Sequence, residues 1–406
     1  MKVSDRTRGV EYAIRDIIAY ARQYSATGGE IIYLNIGDPA KFGFKTPDHI
    51  KQALCDAVLK DENYYAESEG LAELRQAIVE KESAKGLAIT EDDVLVTNGV
   101  SEGLDMLMAS MADPGSEILM PGPHYPPYAS YAKFYGAKPV EFKLYEDGRP
   151  DFEDLRSKIT SRSRALCIIS PNNPTGEVFD RKSLQQLVDI ATEHELYIIC
   201  DEIYDGIVFD EFTGIGRVAR DAPVVVLNGF SKTYLMTGWR CGYICMNSNS
   251  KELDELRVNV PKLARVRISA NLPVQIAAVQ ALRGPQNHIP KMVRELKRRR
   301  DYVVKRLNGM RGISCRIPKG AFYVFPKIDD TYVDAKDDRK FVLELLRSTG
   351  VLTVHGSGFG SAYGSGHFRI VYLPPEDVLE RAMDLIEEFV SRRRVIGASL
   401  SGKHDK

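Results

Sequence analysis

Short apolar runs and stretches of helical spacing alternate through the middle of this chain. Residues 94–96, 117–120, 139–144, 165–169, 196–200 and 224–227 predict strands, most of them nearly continuous in apolar side chains. That is the pattern of strands covered on both faces. Residues 155–159 and 184–194 fall between them at helical spacing, so the alternation predicts parallel βαβ units. Ahead of this block, Val10, Ala13, Ile14, Ile17, Ile18 and Ala21 predict a helix over 10–23. A short strand at 31–36 ends at Gly37-Asp38-Pro39, and Thr46-Pro47 opens a helix over 49–60 with Pro at its first position. A helix is expected over 72–82.

Beyond residue 240 the pattern changes. Helices are expected at 251–262 and 273–282, strands at 321–326, 351–354 and 368–372, and helices at 341–346 and 378–390. Met292, Val293, Leu296, Val303 and Leu307 form an apolar stripe, which assigns Lys297 to Arg300 to the wet face of that helix. A chain of 406 residues exceeds what one compact core usually carries. The expected division is an arm over 1–45, a large domain over 46–284 and a smaller domain over 285–395 that packs with the arm. A polar, disordered tail is expected over 396–406.

Charge and composition exclude several functions. Lys and Arg number 55 against 56 Asp and Glu, a net charge of −1 with both signs mixed. This argues against a general electrostatic role on nucleic acid or membrane. No apolar run approaches the roughly 20 residues that span a bilayer. The six cysteines are scattered. Cys241 and Cys245 are four apart without an accompanying His or second Cys pair, so no metal is expected. A reducing cytoplasm is the expected location.

Candidate chemistry concentrates after the strands. The run 224–227 leads into Asn228-Gly229-Phe230-Ser231-Lys232, and Arg240 follows eight residues after Lys232 between Gly238 and Gly242. Strand ends open onto the clefts of α/β folds, and a desolvated amine there can form a Schiff base with a carbonyl. An arginine nearby can grip a phosphate in two-pronged fashion. Thr97-Asn98-Gly99-Val100-Ser101 reads as a strand end, a glycine turn and a helix start, where free N–H groups bind anions. Ser101 could equally cap that helix. Ser170-Pro171-Asn172-Asn173-Pro174-Thr175-Gly176 and Asp201-Glu202-Ile203-Tyr204 follow two further strands. Arg369, alone in the apolar run 368–372, wants a bidentate anion.

These stretches, in this order and spacing, resemble the class I and II aminotransferases, pyridoxal-phosphate enzymes of fold type I. The resemblance covers about residues 34–390, and the run 34–44 looks like the alanine aminotransferase branch. The fold implied is a large domain with a mostly parallel, helix-flanked sheet plus a smaller α+β domain. The resemblance implies Lys232 as the cofactor-carrying lysine and acid–base, Asp201 at the pyridine nitrogen, and Tyr204 with Asn173 at the ring oxygen. It implies Val100, Ser101, Ser231 and Arg240 at the phosphate, and Tyr125 stacked on the ring. The family's additional serine, three residues before the lysine, is Gly229 here. Gly37, Asn173 and Arg369 are implied for the substrate α-carboxylate.

The resemblance also implies a homodimer with shared sites, in which Tyr65 reaches the neighbour's phosphate. Tyr12 and Arg15 have two readings: a solvated helix face, or an arm that reaches the site and meets a distal carboxylate. The activity implied is transfer of an amino group between an L-amino acid, alanine by the branch, and 2-oxoglutarate. Alternatives on the same fold and cofactor are an aspartate or aromatic donor, or a β-lyase. A cofactor-binding transcriptional regulator would need a DNA-binding domain ahead of the matching region, where only about thirty residues stand.

Overall fold

The computed structural model describes residues 2–329 and 337–392. The tail expected over 396–406 lies outside the described residues. A seven-stranded sheet organises the chain. Its strands are β1 (Val94–Thr97), β2 (Glu117–Gly122), β3 (Lys138–Lys143), β4 (Ser163–Ile169), β5 (Tyr197–Asp201), β6 (Val224–Gly229) and β7 (Gly242–Met246). In space they run β1-β7-β6-β5-β4-β2-β3. Only β7 is antiparallel to its neighbours. The link from β6 to β7 contains no helix to carry the chain back across the sheet, so β7 returns in the opposite direction.

Alternation along the central strands feeds two cores. Leu166 and Ile168 of β4, with Ile198 of β5 and Val226 of β6, pack against Leu184, Leu187 and Ala278. Ala165, Cys167 and Ile169, with Ile199 and Val225, face Leu104, Leu107 and Tyr128 on the other side. These strand residues are 0–1% exposed, which is why the strands read as continuous apolar runs rather than alternating ones. A third core joins Ile17, Leu34 and the long helix His288–Gly309 to Phe341, Ile370 and Ile386. Within it, β8 (Tyr323–Val324), β9 (Val354–His355) and β10 (Phe368–Val371) form an antiparallel sheet in the order β8-β10-β9. Ile32–Tyr33 pairs in parallel with Val351–Leu352.

Several expectations need correction. The helix expected over 10–23 is two helices, Ala13–Asp16 and Ile18–Ala26, with Tyr12 just before the first. The Tyr12 amide donates to the Asp16 carboxylate at 3.0 Å, a bond that reaches back from the first turn of the shorter helix to the residue ahead of it. The expected strand at 31–36 is regular only at Ile32–Tyr33, because the carbonyls of Asn35 and Gly37 bond to Arg369 and Lys232 instead of to a neighbouring strand. The one at 321–326 narrows to Tyr323–Val324, after Ala321 at φ 57°. The strand at 351–354 is two short pieces. Pro47 caps the helix Asp48–Leu59 instead of occupying its first position. Arg299 and Arg300 are not on a wet face: they are 8% and 6% exposed. Arg299 donates to the Leu373 carbonyl and stacks on Phe44, while Arg300 donates to the Pro318 carbonyl and stacks on Phe209. No helix among the described residues is long and apolar enough to cross a membrane.

A buried ionic cluster lies behind the ends of β5 and β6. Lys85 Nζ stands 2.7 Å from Glu82, 2.6 Å from Glu202 and 2.9 Å from Asp205, and Lys81 Nζ is 2.9 Å from Asp205. Asn228 of β6 donates to Asp205 and accepts from the Gly229 amide, so the cluster fixes the strand end that precedes Lys232. Burial works against ionised Asp205, but Lys81 and Lys85 hold its carboxyl below the usual range. Replacing Lys85 by Met should strand these carboxylates and cost about 3–5 kcal/mol, the scale of breaking one side of a buried pair. A urea titration would show it as a lowered midpoint; an unchanged midpoint would mean that the cluster is electrostatically idle.

Candidate active site

The carboxyl ends of the parallel strands, where α/β sheets bind ligands, open into a cavity of about 920 Å³. Ser101 follows β1, Tyr125 follows β2, Asn173 follows β4, Asp201 ends β5, and Ser231 and Lys232 follow β6; all line the cavity. Gly37, Arg369, Arg240, Val100, Tyr204, Tyr12 and Arg15 line it as well. Among the predicted site residues, Tyr65 alone is not brought there. Its expected contact concerns a neighbouring copy, and within one chain it is 78% exposed.

Lys232 is half-buried and its Nζ donates to the Gly37 carbonyl at 2.8 Å. The amine sits 6.0 Å from the Tyr204 ring centre and 5.6 Å from that of Phe322. Enclosure by protein pulls its pKa down to about 8; Asp38 opposes that shift, and Arg240 and Arg369 add to it. Asp201 is 4% exposed. One of its oxygens accepts from Tyr128 Oη at 2.9 Å and the other from the Ile203 amide at 3.0 Å. Burial pushes its pKa up to about 6 despite those two bonds. A positive partner would restore the ionised form.

At one end of the cavity is an anion cradle. Gly99, at φ 81°, precedes the helix Val100–Met111, and a Cβ there would overlap the Arg240 guanidinium. Gly99 thus occupies the cap position, and Ser101 lies inside the first turn, so the capping reading of Ser101 does not hold. Arg240 Nη1 is 3.4 Å from Ser231 Oγ and 3.1 Å from the Thr237 carbonyl, and no carboxylate among the described residues pairs with it. Free helix N–H groups, two hydroxyls and an unneutralised guanidinium fit a phosphate. Gly229 leaves no room for the family's additional serine, because a Cβ there would sit 2.9 Å from the Cys241 carbonyl oxygen.

At the other end is Arg369, on β10 and 1% exposed. Its guanidinium donates to Asn173 Oδ1 at 2.8 Å and to the Asn35 carbonyl. It lies 4.6 Å from the Tyr323 ring and 4.9 Å from that of Phe359. Its Nε has no partner among the described residues. A carboxylate would satisfy it. Two pairs of phenols line the same cavity: Tyr204 and Tyr323 share a hydrogen bond of 2.8 Å, and Tyr12 and Tyr125 one of 2.9 Å. Arg15 is exposed at the rim without an ion pair among the described residues.

Sequence reasoning missed Tyr128, Tyr323, Phe359 and the Asp38–Thr237 pair. Only Asp38 carried a signal, as a carboxylate beside the predicted Gly37. The others depend on segments distant in sequence.

The family model for aminotransferase class I and II matches residues 29–386. The chain is 37% identical to the glutamate-pyruvate aminotransferase AlaA of Escherichia coli strain K12, over 96% of this chain and 97% of that protein. It is 36% identical to the alanine aminotransferase of Mycobacterium tuberculosis, over 95% and 92%. The solved structure of the alanine aminotransferase from Pyrococcus furiosus superposes with a TM-score of 0.93 at 48% identity, covering 97% of this chain and 100% of that one.

The lowered lysine has a direct consequence. Reaction of Lys232 with a small aldehyde should accelerate with pH as the neutral amine forms, and level off above a midpoint near 8. A midpoint near the ordinary lysine value would mean that the cavity does not perturb this amine.

Proposed function

The chain belongs to the class I and II aminotransferases, a pyridoxal-phosphate-dependent family, and from that premise we propose that it exchanges an amino group between L-alanine and 2-oxoglutarate. The observation that carries this reading is the set Lys232, Asp201, Arg240 and Arg369 facing one cavity. The relatives named for alanine and for glutamate with pyruvate support the choice of donor.

Arg240, Ser101, Ser231 and the Val100 amide would hold the cofactor phosphate. Tyr125 would cover the ring, Asp201 would face its nitrogen, and Tyr204 with Asn173 would donate to its oxygen. When bound, pyridoxal phosphate supplies a ring that accepts the electron pair left when the substrate Cα–H bond breaks. Asp201, raised by burial, regains its charge beside a protonated ring nitrogen, and Tyr128 keeps the carboxylate aligned. Arg369 takes the substrate α-carboxylate, with the Gly37 backbone alongside, which turns Cα toward Lys232. Lys232 would take the Cα proton as neutral amine and, as ammonium, hold it for return. A pKa of about 8 suits that work near neutral pH. Because both substrates carry an α-carboxylate, Arg369 serves both half-reactions, in ping-pong order.

The second carboxylate of glutamate and 2-oxoglutarate needs another cation. Arg15, at the rim beside Tyr12, is our candidate. A homodimer with shared sites is the assembly we favour. Tyr65 at 78%, Val266 at 84% and Ile268 at 50% exposure support it as apolar surface awaiting cover, and Ser68 Oγ bonds the Ile268 carbonyl at 2.6 Å, tying their two segments together. The six unpaired cysteines support a reducing, cytoplasmic location.

Two experiments test the reading. Lys232→Ala should bind the cofactor without a covalent link and lose turnover by several orders of magnitude in an alanine–2-oxoglutarate assay; near-native rates would refute the assignment. Arg15→Met should raise KM for glutamate and 2-oxoglutarate about ten- to a hundredfold, the weight of a charge-assisted contact, and leave KM for alanine nearly unchanged. Equal effects on all three would reduce Arg15 to a residue that orders the arm.

A further inference from the structure

Residues 37–46 of the N-terminal segment lie against the turn 232–237 at three points. Lys232 Nζ donates to the Gly37 carbonyl at 2.8 Å, Thr237 Oγ1 to Asp38 Oδ1 at 2.8 Å, and Thr46 Oγ1 to the Leu235 carbonyl at 2.7 Å. Thr237 also connects outward, because its own carbonyl accepts from Arg240 Nη1 at 3.1 Å. Asp38 is thus fixed between the arginine of the anion cradle and the glycine that receives the lysine.

The charged groups that act on Lys232 are few. Arg240 and Arg369 oppose a positive amine, while Asp38 and Asp201 favour it, Asp38 more strongly. Tyr204 and Phe322 supply only ring faces. Asp201 has its own hydrogen bonds to Tyr128 and the Ile203 amide. Asp38 has the pinned geometry and the neighbouring carbonyl that a second anchor for the amine requires.

We propose that Asp38 is a positioning residue for Lys232. Its carboxylate, held by Thr237, keeps the free ε-ammonium docked on the Gly37 carbonyl and offsets the two arginines. Without it, the amine would lose its proton too readily to return one to the substrate. This rests on reading Lys232 as the proton-transferring lysine. The bond from Thr237 passes the position of Arg240 to the same segment, so the phosphate grip and the lysine dock share one support.

The test uses full-length protein freed of cofactor, with pyridoxal phosphate as the probe and the pH dependence of its covalent capture as the readout. Asp38→Asn keeps an acceptor for Thr237 but removes the charge. Its capture midpoint should fall by about one pH unit or more, the usual effect of losing a nearby opposite charge, while Asp38→Glu should stay near wild type. Turnover of the loaded Asn variant should show a matching displacement of the pH profile, with KM little changed. An unmoved midpoint in Asp38→Asn would overturn the proposal. Thr237→Val should lower the midpoint in the same direction but by less, because the charge stays while its hold is lost; a raised midpoint there would also overturn the proposal. Capture that persists in Lys232→Ala would instead overturn the assignment of Lys232 itself, so the two failures are distinguishable.

Discussion

Positive charge held without a carboxylate partner is the condition on which the rest of this structure depends. Arg369 is oriented by the neutral oxygens of Asn173 and Asn35, and Arg240 by Ser231 and the Thr237 carbonyl. Neutral acceptors fix direction and leave the charge available. For Arg369, which is buried, that condition is costly until an anion arrives. The cluster behind β5 and β6 follows the opposite rule: Lys81 and Lys85 are enclosed by Glu82, Glu202 and Asp205. One set of charges braces the ends of β5 and β6; the other faces the cavity.

The sheet makes this possible. The central parallel strands, buried on both faces, deliver their carboxyl ends to one edge, where Tyr125, Asn173, Asp201 and Lys232 line the cavity. The lone antiparallel strand, β7, closes the loop that carries Lys232 and Arg240, with Gly242 of β7 facing Gly229 of β6. The arm completes the site with backbone oxygens at Asn35 and Gly37. That use of carbonyls is also why its strand is so short.

These same facts divide what the sequence makes legible from what it does not. The central strands are readable because burial on both faces leaves an unbroken apolar run such as 165–169. The stretches around Lys232, Asp201, Asn173 and Arg369 are readable because turn residues and isolated charges follow or interrupt such runs. Arg299 and Arg300 misled because their burial comes from Phe44 and Phe209, far away in sequence. Tyr128 lies in the helix Pro126–Phe134, and nothing local in the sequence indicates that its hydroxyl meets Asp201. The break at Ile17 was hidden because the apolar spacing runs through it without interruption.

The cavity works as an aminotransferase site only if Lys232 is the amine joined to the cofactor. The chain offers other enclosed or cavity-lining amines, Lys81, Lys85 and Lys41 among them. Borohydride reduction of the loaded enzyme, followed by proteolysis and mass measurement of each lysine-bearing peptide, separates them directly. A single pyridoxyl adduct on the peptide containing Lys232 is the predicted result. An adduct on Lys41, Lys81 or Lys85, with Lys232 unmodified, would contradict it.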